Sequence, residues 1–217
     1  MTQKNKKPWP TKAVMKQIYE KHLWGGRNIK FYSGDGSHKP EIVTPYLNVI
    51  KTFLTSFKNP ITVCDLGCGD FNIGKELVPY TSYYHAIDIV PELIDYHKKN
   101  VTAKHLQFYC LDISKDHLPD ADCVIIRQVL QHLSNNEVQS IVKKLFKYKY
   151  VILTEHIPKG DFIANKDIIS GQGIRLKKQS GLNLLDAPFS LPVKSKKELL
   201  RYHVNDKEVI LTLLFEL

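Results

Sequence analysis

The residues best suited to chemistry lie together in one short stretch of the chain. An apolar run from Ile61 to Leu66 is followed by two glycines, Gly67 and Gly69, and a second apolar run ends at Asp88. Because glycine has no side chain, the backbone of such a turn can approach a ligand closely. A carboxylate at the end of the second strand can accept hydrogen bonds from both hydroxyls of a ribose. The pattern predicts a nucleoside site at the carboxyl ends of parallel strands.

The glycine spacing and one more carboxylate indicate which nucleoside would bind. The next glycine, Gly74, falls two places later than the dinucleotide pattern G-x-G-x-x-G requires. Asp65 lies at the end of the first strand, where it would repel a pyrophosphate but suit a ligand with an ammonium group. S-adenosylmethionine has an ammonium group, a ribose and no phosphate. A nicotinamide or flavin enzyme and a purely structural glycine turn are the alternatives.

The sequence Asp-Leu-Gly-Cys-Gly-Asp at 65–70 resembles the first motif of the class I S-adenosylmethionine-dependent methyltransferases. The acidic end of the second strand resembles their second motif. The resemblance implies that Asp65 lies near the ammonium, that Asp88 binds the ribose and that Asp112 holds the adenine edge, with a turn cap as the alternative for Asp112. The cofactor-binding residues that it implies are Asp65, Gly67, Cys68, Gly69, Asp88, Ile89, Asp112, Ile113 and Arg127.

The segment 126–133, Ile-Arg-Gln-Val-Leu-Gln-His-Leu, resembles the R-D-x-x-x-H segment of small-molecule methyltransferases, including the phosphoethanolamine branch. The resemblance implies that His132 assists proton removal and that Arg127 belongs to the catalytic site. Gln128 replaces the aspartate that would bind a substrate amine. The alternatives are structural: His132 would bond to backbone at a helix start, and Arg127 would pair with Asp65 or Asp112.

Two segments could close the site over a substrate. One is a glycine-rich flap at 24–38, and the other is a long stretch at 155–195 with weak periodicity. Both resemble signatures of a poorly characterised, bacterial-type group of methyltransferases. A plain surface connection and a self-packed loop are the alternatives. The candidate lid and substrate residues are Trp24, Arg27, Tyr32, Ser33, His38, Gln128, Asn165 and Asn183, with Arg175 and Phe189 as further pocket candidates.

The elements that must position these residues alternate between strand and helix. This order predicts a doubly wound, Rossmann-like sheet of seven mostly parallel strands, closed by a C-terminal antiparallel hairpin. We divide the chain into an N-terminal helix and flap at 1–39 and a methyltransferase domain at 40–217. Thr11 is predicted to cap a helix that runs to Trp24, and Ser134 with Glu137 forms a predicted capping box.

Composition limits the function classes. The 217 residues carry a net charge of +9 and four cysteines without a C-x-x-C pair, so no metal site is expected. No apolar run is long enough to span a membrane and no secretory signal is apparent, which favours a cytoplasmic protein. The lysines are dispersed, so nucleic acid is a possible partner but not the first one.

These observations predict methyl transfer to an oxygen or nitrogen of a small-molecule acceptor. Methylation of RNA or protein, and a non-catalytic cofactor-binding protein of the same fold, are the alternatives. The sequence does not indicate an oligomeric state.

Overall fold

A computed structural model of the protein describes residues 8–217 and contains one seven-stranded sheet with helices on both faces. The strands are β1 (Thr62–Leu66), β2 (Tyr83–Asp88), β3 (Leu106–Cys110), β4 (Cys123–Arg127), β5 (Tyr150–Pro158), β6 (Ser195–His203) and β7 (Glu208–Glu216). The helices are α1 (Thr11–Glu20), α2 (Pro40–Thr55), α3 (Gly74–Leu77), α4 (Pro91–Asn100) and α5 (Asn135–Leu145). Short 3-10 turns lie at Asp35–Ser37, Val78–Tyr80, Leu130–His132 and Arg175–Lys178.

The strand order is β3-β2-β1-β4-β5-β7-β6, which confirms the predicted doubly wound sheet. Strands β1 to β5 are parallel, and β7 inserts antiparallel between β5 and β6. The order in which strands are added to the sheet reverses between β1 and β4. There, Leu66 of β1 pairs with Ile87 of β2 on one side and with Ile126 of β4 on the other. In open sheets of this kind, ligands bind beyond the carboxyl ends of the strands at this switch point.

The central strands are apolar because both of their faces are covered. On β4, Val124 and Ile126 belong to the core under α1 and α5, whereas Cys123 and Ile125 belong to the core under α2. This alternation follows from the two-residue period of a strand. The sheet is therefore a rigid floor for the loops at its carboxyl edge.

The boundaries differ from the predictions at three places. Pro10, not Thr11, is the N-cap of α1, and the helix ends at Glu20 because the chain turns through a left-handed residue at His22. β5 continues to Pro158, where pairing with β7 extends it beyond the predicted end. The Ser134–Glu137 capping box is confirmed. The lysine-rich start, predicted to be disordered over 1–10, lies mostly outside the described residues.

None of the helices within residues 8–217 is long and apolar enough to cross a membrane.

Candidate functional site

A cavity of about 550 Å³ lies over the carboxyl ends of β1, β2 and β4. The sheet forms its floor, and α1 and the flap cover it. The turn at Leu130–His132 and the segment 172–177 form one wall. Most of the predicted site residues line it, namely Asp65, Gly67, Cys68, Gly69, Asp88, Ile89, Asp112, Ile113, Arg127, Gln128, His132, Trp24 and Ser33.

The glycine turn after β1 can be built only from glycine. Gly67 and Gly69 have φ of +83° and +54°, in the left-handed region. A Cβ atom would lie 2.4 Å from Val129 Cγ2 at the first position and 2.3 Å from Ser33 Oγ at the second. The N–H groups of Gly67 and Cys68 both donate to the Ile87 carbonyl at 2.8 Å, which fixes the turn against β2. The result is a narrow backbone cradle beneath the cavity.

Two buried carboxylates lie beside this cradle. Asp88 accepts hydrogen bonds from the Gly69 N–H at 3.1 Å and the Val90 N–H at 3.0 Å, and Asp65 accepts one from the Tyr84 hydroxyl at 2.9 Å. Burial, together with the negative charge of the neighbouring Asp88, raises the pKa of Asp65 to about 7. Burial also raises the pKa of Asp88, to about 6. Neither carboxylate has a cationic partner among the described residues, so a positively charged ligand would stabilise both.

Arg127 does not pair with Asp65 or Asp112. Its guanidinium donates to Ser37 Oγ at 3.0 Å and to the Gly36 carbonyl, and it lies 4.7 Å above the Tyr46 ring. Among residues 8–217, Arg127 Nε and the Tyr46 hydroxyl are buried without a hydrogen-bond partner. Buried donors are normally satisfied. Both residues line the cavity, but these two atoms are themselves shielded from it.

His132 lies in the cavity wall with its proton position fixed by its neighbours. Its Nδ1 lies 3.1 Å from the Gly171 carbonyl, which can only accept, so Nδ1 carries the proton. Gln131 Oε1 accepts from the His156 N–H at 2.9 Å, which turns the Gln131 amide nitrogen toward His132 Nε2 at 3.3 Å. Burial lowers the pKa of His132 to about 4. The ring is therefore neutral, with an Nε2 lone pair and Trp24 packed at 5.1 Å.

Residues 63–148 match a family model described as a methyltransferase domain. This part of the chain is therefore a methyltransferase domain. The cofactor of this domain is S-adenosylmethionine, and the glycine cradle with the two buried carboxylates beside it has the donor and acceptor groups that fit a ribose and an ammonium. No curated protein sequence matches this methyltransferase significantly.

Solved structures show the same fold at low sequence identity. The N-methyltransferase NodS from Bradyrhizobium japonicum superposes with a TM-score of 0.64 at 12% identity, over 94% of this chain and 98% of that chain. Magnesium protoporphyrin IX methyltransferase from Synechocystis, with bound S-adenosylmethionine, gives 0.59 at 14% identity over 98% and 100%. Human N-acetylserotonin methyltransferase gives 0.58 at 16% identity over 96% of this chain and 60% of that chain.

The flap contributes only part of its predicted residues to the methyltransferase cavity. Ser33 lines the cavity and exchanges two hydrogen bonds with Asp70, at 2.7 and 2.8 Å. Tyr32 and His38 stack on each other at 4.3 Å outside the cavity, and His38 bonds to Asp70 at 2.6 Å. Arg27 is exposed and does not line the cavity. These three residues were expected as ligand contacts; Tyr32 and His38 instead anchor the flap.

The long loop at 159–194 is held together by its own residues, as the structural alternative predicted. Asn165 donates to the carbonyls of Asn183 at 2.8 Å and Ala187 at 2.9 Å, and its Oδ1 accepts from the Asn183 N–H at 2.8 Å. Neither asparagine lines the cavity, and Phe189 is buried in the core. The expectation that they line the acceptor pocket is wrong. The loop reaches the cavity through Gln172, Gly173, Ile174 and Lys177 instead.

At the opposite end of the cavity, Asp112 is both a lining residue and a turn cap. Its Oδ1 accepts from the Ser114 N–H at 3.0 Å and the Ser114 hydroxyl at 2.6 Å, and its Oδ2 lies 2.8 Å from Lys115 Nζ. The carboxylate is therefore largely used by the turn. Ile89 and Ile113 provide the apolar walls there.

Sequence reasoning missed Tyr46, Val129 and Gln131. Tyr46 lies on the buried stripe of α2, where an aromatic residue signals only core packing. Gln131 shows no pattern of its own, since its role comes from contacts with His156 and His132. The positive φ of Gln128, 55°, also has no sequence signal because glycine normally occupies such positions.

Proposed function

We propose that this methyltransferase transfers the methyl group to an oxygen or nitrogen of a small, neutral or anionic acceptor. The observation that carries the proposal is the charge inside the covered cavity. Five carboxylates line it, Asp35, Asp65, Asp88, Asp112 and Glu137, and each is already bonded to protein groups. Two of them, Asp65 and Asp88, are assigned to the cofactor below. Of the other three, Asp35 and Asp112 are paired with Lys39 and Lys115, and Glu137 accepts three hydroxyl donors, so these three are less available to a cationic amine acceptor.

The cofactor roles follow the chemistry of each wall. S-adenosylmethionine supplies a methyl group activated by a sulfonium. Asp65 would bind the methionine ammonium, and Arg127, a cation on the cavity lining, would attract the carboxylate. Asp88 has lone pairs left for the ribose hydroxyls, because each carboxylate oxygen accepts more than one hydrogen bond. Ile89 and Ile113 would pack on the adenine.

The acceptor would lie between Trp24 and the segment 172–177. Trp24 offers an aromatic face, Gln128 and Gln172 offer neutral polar groups, and Lys177 offers a positive charge. Gln128 stands where the resemblance implies an amine-binding aspartate, so its amide removes the ionic reason to select an amine. A flat hydroxylated or carboxylated molecule suits this lining better.

His132 would accept a proton through Nε2 once the Gln131 amide moves aside. A base with a pKa near 4 is weak. A phenol, with a pKa of about 10, holds its proton far more tightly than this histidine would, so His132 would take the proton only as methyl transfer makes the acceptor oxygen more acidic. Alignment of acceptor and methyl group would supply most of the rate enhancement.

Calorimetric titration with S-adenosylhomocysteine tests the cofactor assignment. Asp88→Ala should weaken binding about tenfold to a hundredfold, which corresponds to about 1–3 kcal/mol for a lost charged hydrogen bond. Asp112→Ala is the matched control, because its carboxylate is used by its own turn, and we expect less than a threefold change. Equal losses in both variants would refute the assigned ribose contact.

Labelled methyl transfer tests the acceptor class. We would compare a panel of phenols and carboxylic acids with a panel of primary and tertiary amines matched for size. Transfer confined to cationic amines would overturn the proposed acceptor chemistry while leaving the cofactor site intact.

A further inference from the structure

The turn at Leu130–His132 lies between a buried carboxylate and a buried guanidinium that the proposed reaction does not use. Glu155, on β5, is 2% exposed and accepts hydrogen bonds from the N–H groups of Leu130 at 3.1 Å and Gln131 at 3.2 Å. Each of its oxygens takes one of these bonds. The carboxylate therefore binds the amino-terminal side of the turn.

Arg175 binds the other side of the same turn. It is 1% exposed, and its guanidinium donates to the carbonyls of Leu130 at 3.1 Å and Leu133 at 2.8 Å. It also donates to Asn135 Oδ1 at 2.6 Å, next to the start of α5. Burying an arginine is costly unless its donors are satisfied. Here the carbonyl oxygens of one turn satisfy most of them.

A carboxyl group and a guanidinium thus hold one short turn, the first from its N–H side and the second from its C=O side. Glu155 and Arg175 are linked through the peptide groups of the turn, which lie between them. Burial raises the pKa of Glu155 to about 8, whereas the two backbone N–H donors and the positive charge of Arg175 oppose that rise. The turn is consequently more constrained than its own 3-10 hydrogen bonds would make it.

The residues that Glu155 and Arg175 hold in place are those that determine the tautomer and the orientation of the His132 ring. Gln131 bonds to Glu155 through its backbone N–H and to His132 through its side-chain amide. The Gly171 carbonyl, which accepts a hydrogen bond from His132 Nδ1, lies four residues before Arg175. We infer that Glu155 and Arg175 are positioning residues that keep the His132 ring in one orientation and one tautomer, with Nε2 unprotonated in the cavity wall. Its relevance to methyl transfer rests on the proposed function.

The charged and titratable groups around His132 agree with this geometry. Arg175 bonds to the carbonyls of Leu130 and Leu133 on either side of His132, Glu155 and His156 lie on β5, and Glu137 and Lys177 also line the cavity. Burial, with a smaller contribution from the positive charge of Arg175, lowers the pKa of His132 to about 4. Removing Arg175 should weaken both causes of the low pKa of His132. The ring would lose a neighbouring positive charge, and water would reach the turn that buries it.

Nuclear magnetic resonance of the histidine ring nitrogens tests the inference without an acceptor. In the wild type, His132 should show one protonated and one bare nitrogen, assigned by their loss in His132→Gln. Glu155→Gln offers one acceptor oxygen where the turn donates two bonds, and should replace the single tautomer by a mixture. Arg175→Met should raise the pKa of His132, because it removes a neighbouring positive charge and loosens the turn.

The pKa is read from Trp24 fluorescence in a Trp9→Phe background, because a protonated histidine quenches an adjacent indole. Thr212→Val is the matched control, since it removes a buried 3.0 Å hydrogen bond to Thr154, beside Glu155, without touching the turn. It should change neither the tautomer nor the pKa. If Arg175→Met does not fold, Arg175→Lys takes its place with the tautomer as readout.

The inference is overturned if the folded variants keep the wild-type tautomer and pKa, or if Thr212→Val alters them equally. Calorimetry with S-adenosylhomocysteine on the same wild-type protein separates this result from the proposed function. Failure to bind S-adenosylhomocysteine would refute the cofactor assignment. It would not affect the conclusion about His132, because its tautomer and pKa are measured without cofactor.

Discussion

At the scale of single residues, Asp65 shows how the cost of burying a carboxylate in the fold would favour a cationic ligand. Its buried carboxylate has one hydrogen bond, from Tyr84, and no cationic partner in the part of the chain that the structure describes. An ionised group in such surroundings is unfavourable, which is why burial raises its pKa to about 7. In the free protein this raised pKa lowers stability as pH rises from about 4 toward 7.

Cofactor binding should reverse the preference of Asp65 for its neutral form, and the affinity for the cofactor should therefore depend on pH. An ammonium beside Asp65 favours the carboxylate, so binding releases a proton whenever Asp65 is neutral beforehand. We expect the dissociation constant of S-adenosylmethionine to fall as pH rises from 5 to 7.5, by no more than about tenfold per pH unit and proton released. It should level off at higher pH.

Calorimetry in two buffers of different ionisation enthalpy measures the proton directly. Asp65→Asn cannot ionise and should bind weakly with a flatter pH profile. A wild-type affinity that is constant between pH 5 and 7.5 would show that the ammonium does not meet Asp65.

At the scale of elements, α5 begins next to the cavity wall formed by the turn at Leu130–His132. Its first turn forms hydrogen bonds with both α1 and the long loop. Ser134 caps the helix in a reciprocal pair with Glu137. Glu137 also accepts hydrogen bonds from Thr11 of α1 and Ser170 of the long loop. Burial opposes the charge of Glu137, yet these hydroxyl donors hold its pKa below the usual value. The cap therefore stabilises the cavity wall as well as the helix.

Ser134→Ala should lower the free energy of unfolding by about 1 kcal/mol, the usual cost of a lost N-cap. Asn136→Ala is a matched control in the same helical turn, because Asn136 is exposed and its side chain makes no hydrogen bond among the described residues. Urea denaturation of both variants measures the difference. Equal stabilities would show that the capping box contributes nothing net.

At the scale of the whole molecule, the sequence predicted the architecture better than the contacts within the site. Alternating apolar runs and helical stripes are local, so the five parallel strands, the hairpin and the Gly67 cradle could be anticipated. Side-chain roles within the loop 159–194 could not, because they depend on partners far away in the chain. Arg175 bonds to residues about forty positions earlier. Asn165 has the polar character of a ligand residue, but it bonds to its own loop.

The net charge of +9 is also a property of the whole molecule and leads to a test of the RNA alternative. Dispersed lysines produce non-specific attraction that decreases steeply with salt. We expect a single-stranded RNA oligonucleotide to bind the S-adenosylhomocysteine-saturated protein only below physiological ionic strength, with no saturable complex at 0.2 M salt by fluorescence anisotropy. A complex that persists there would favour RNA as the acceptor.

Arg127 has a consequence for how this methyltransferase responds to its ligand. One guanidinium donates to the Gly36 carbonyl and to the Ser37 hydroxyl of the flap, and the same residue lines the cavity. An anion bound beside this guanidinium would share its charge with the flap, and by reciprocity the anion and the flap would change each other's affinity for Arg127 by the same factor. Occupancy of the cavity would then alter the stability of the flap through a single side chain.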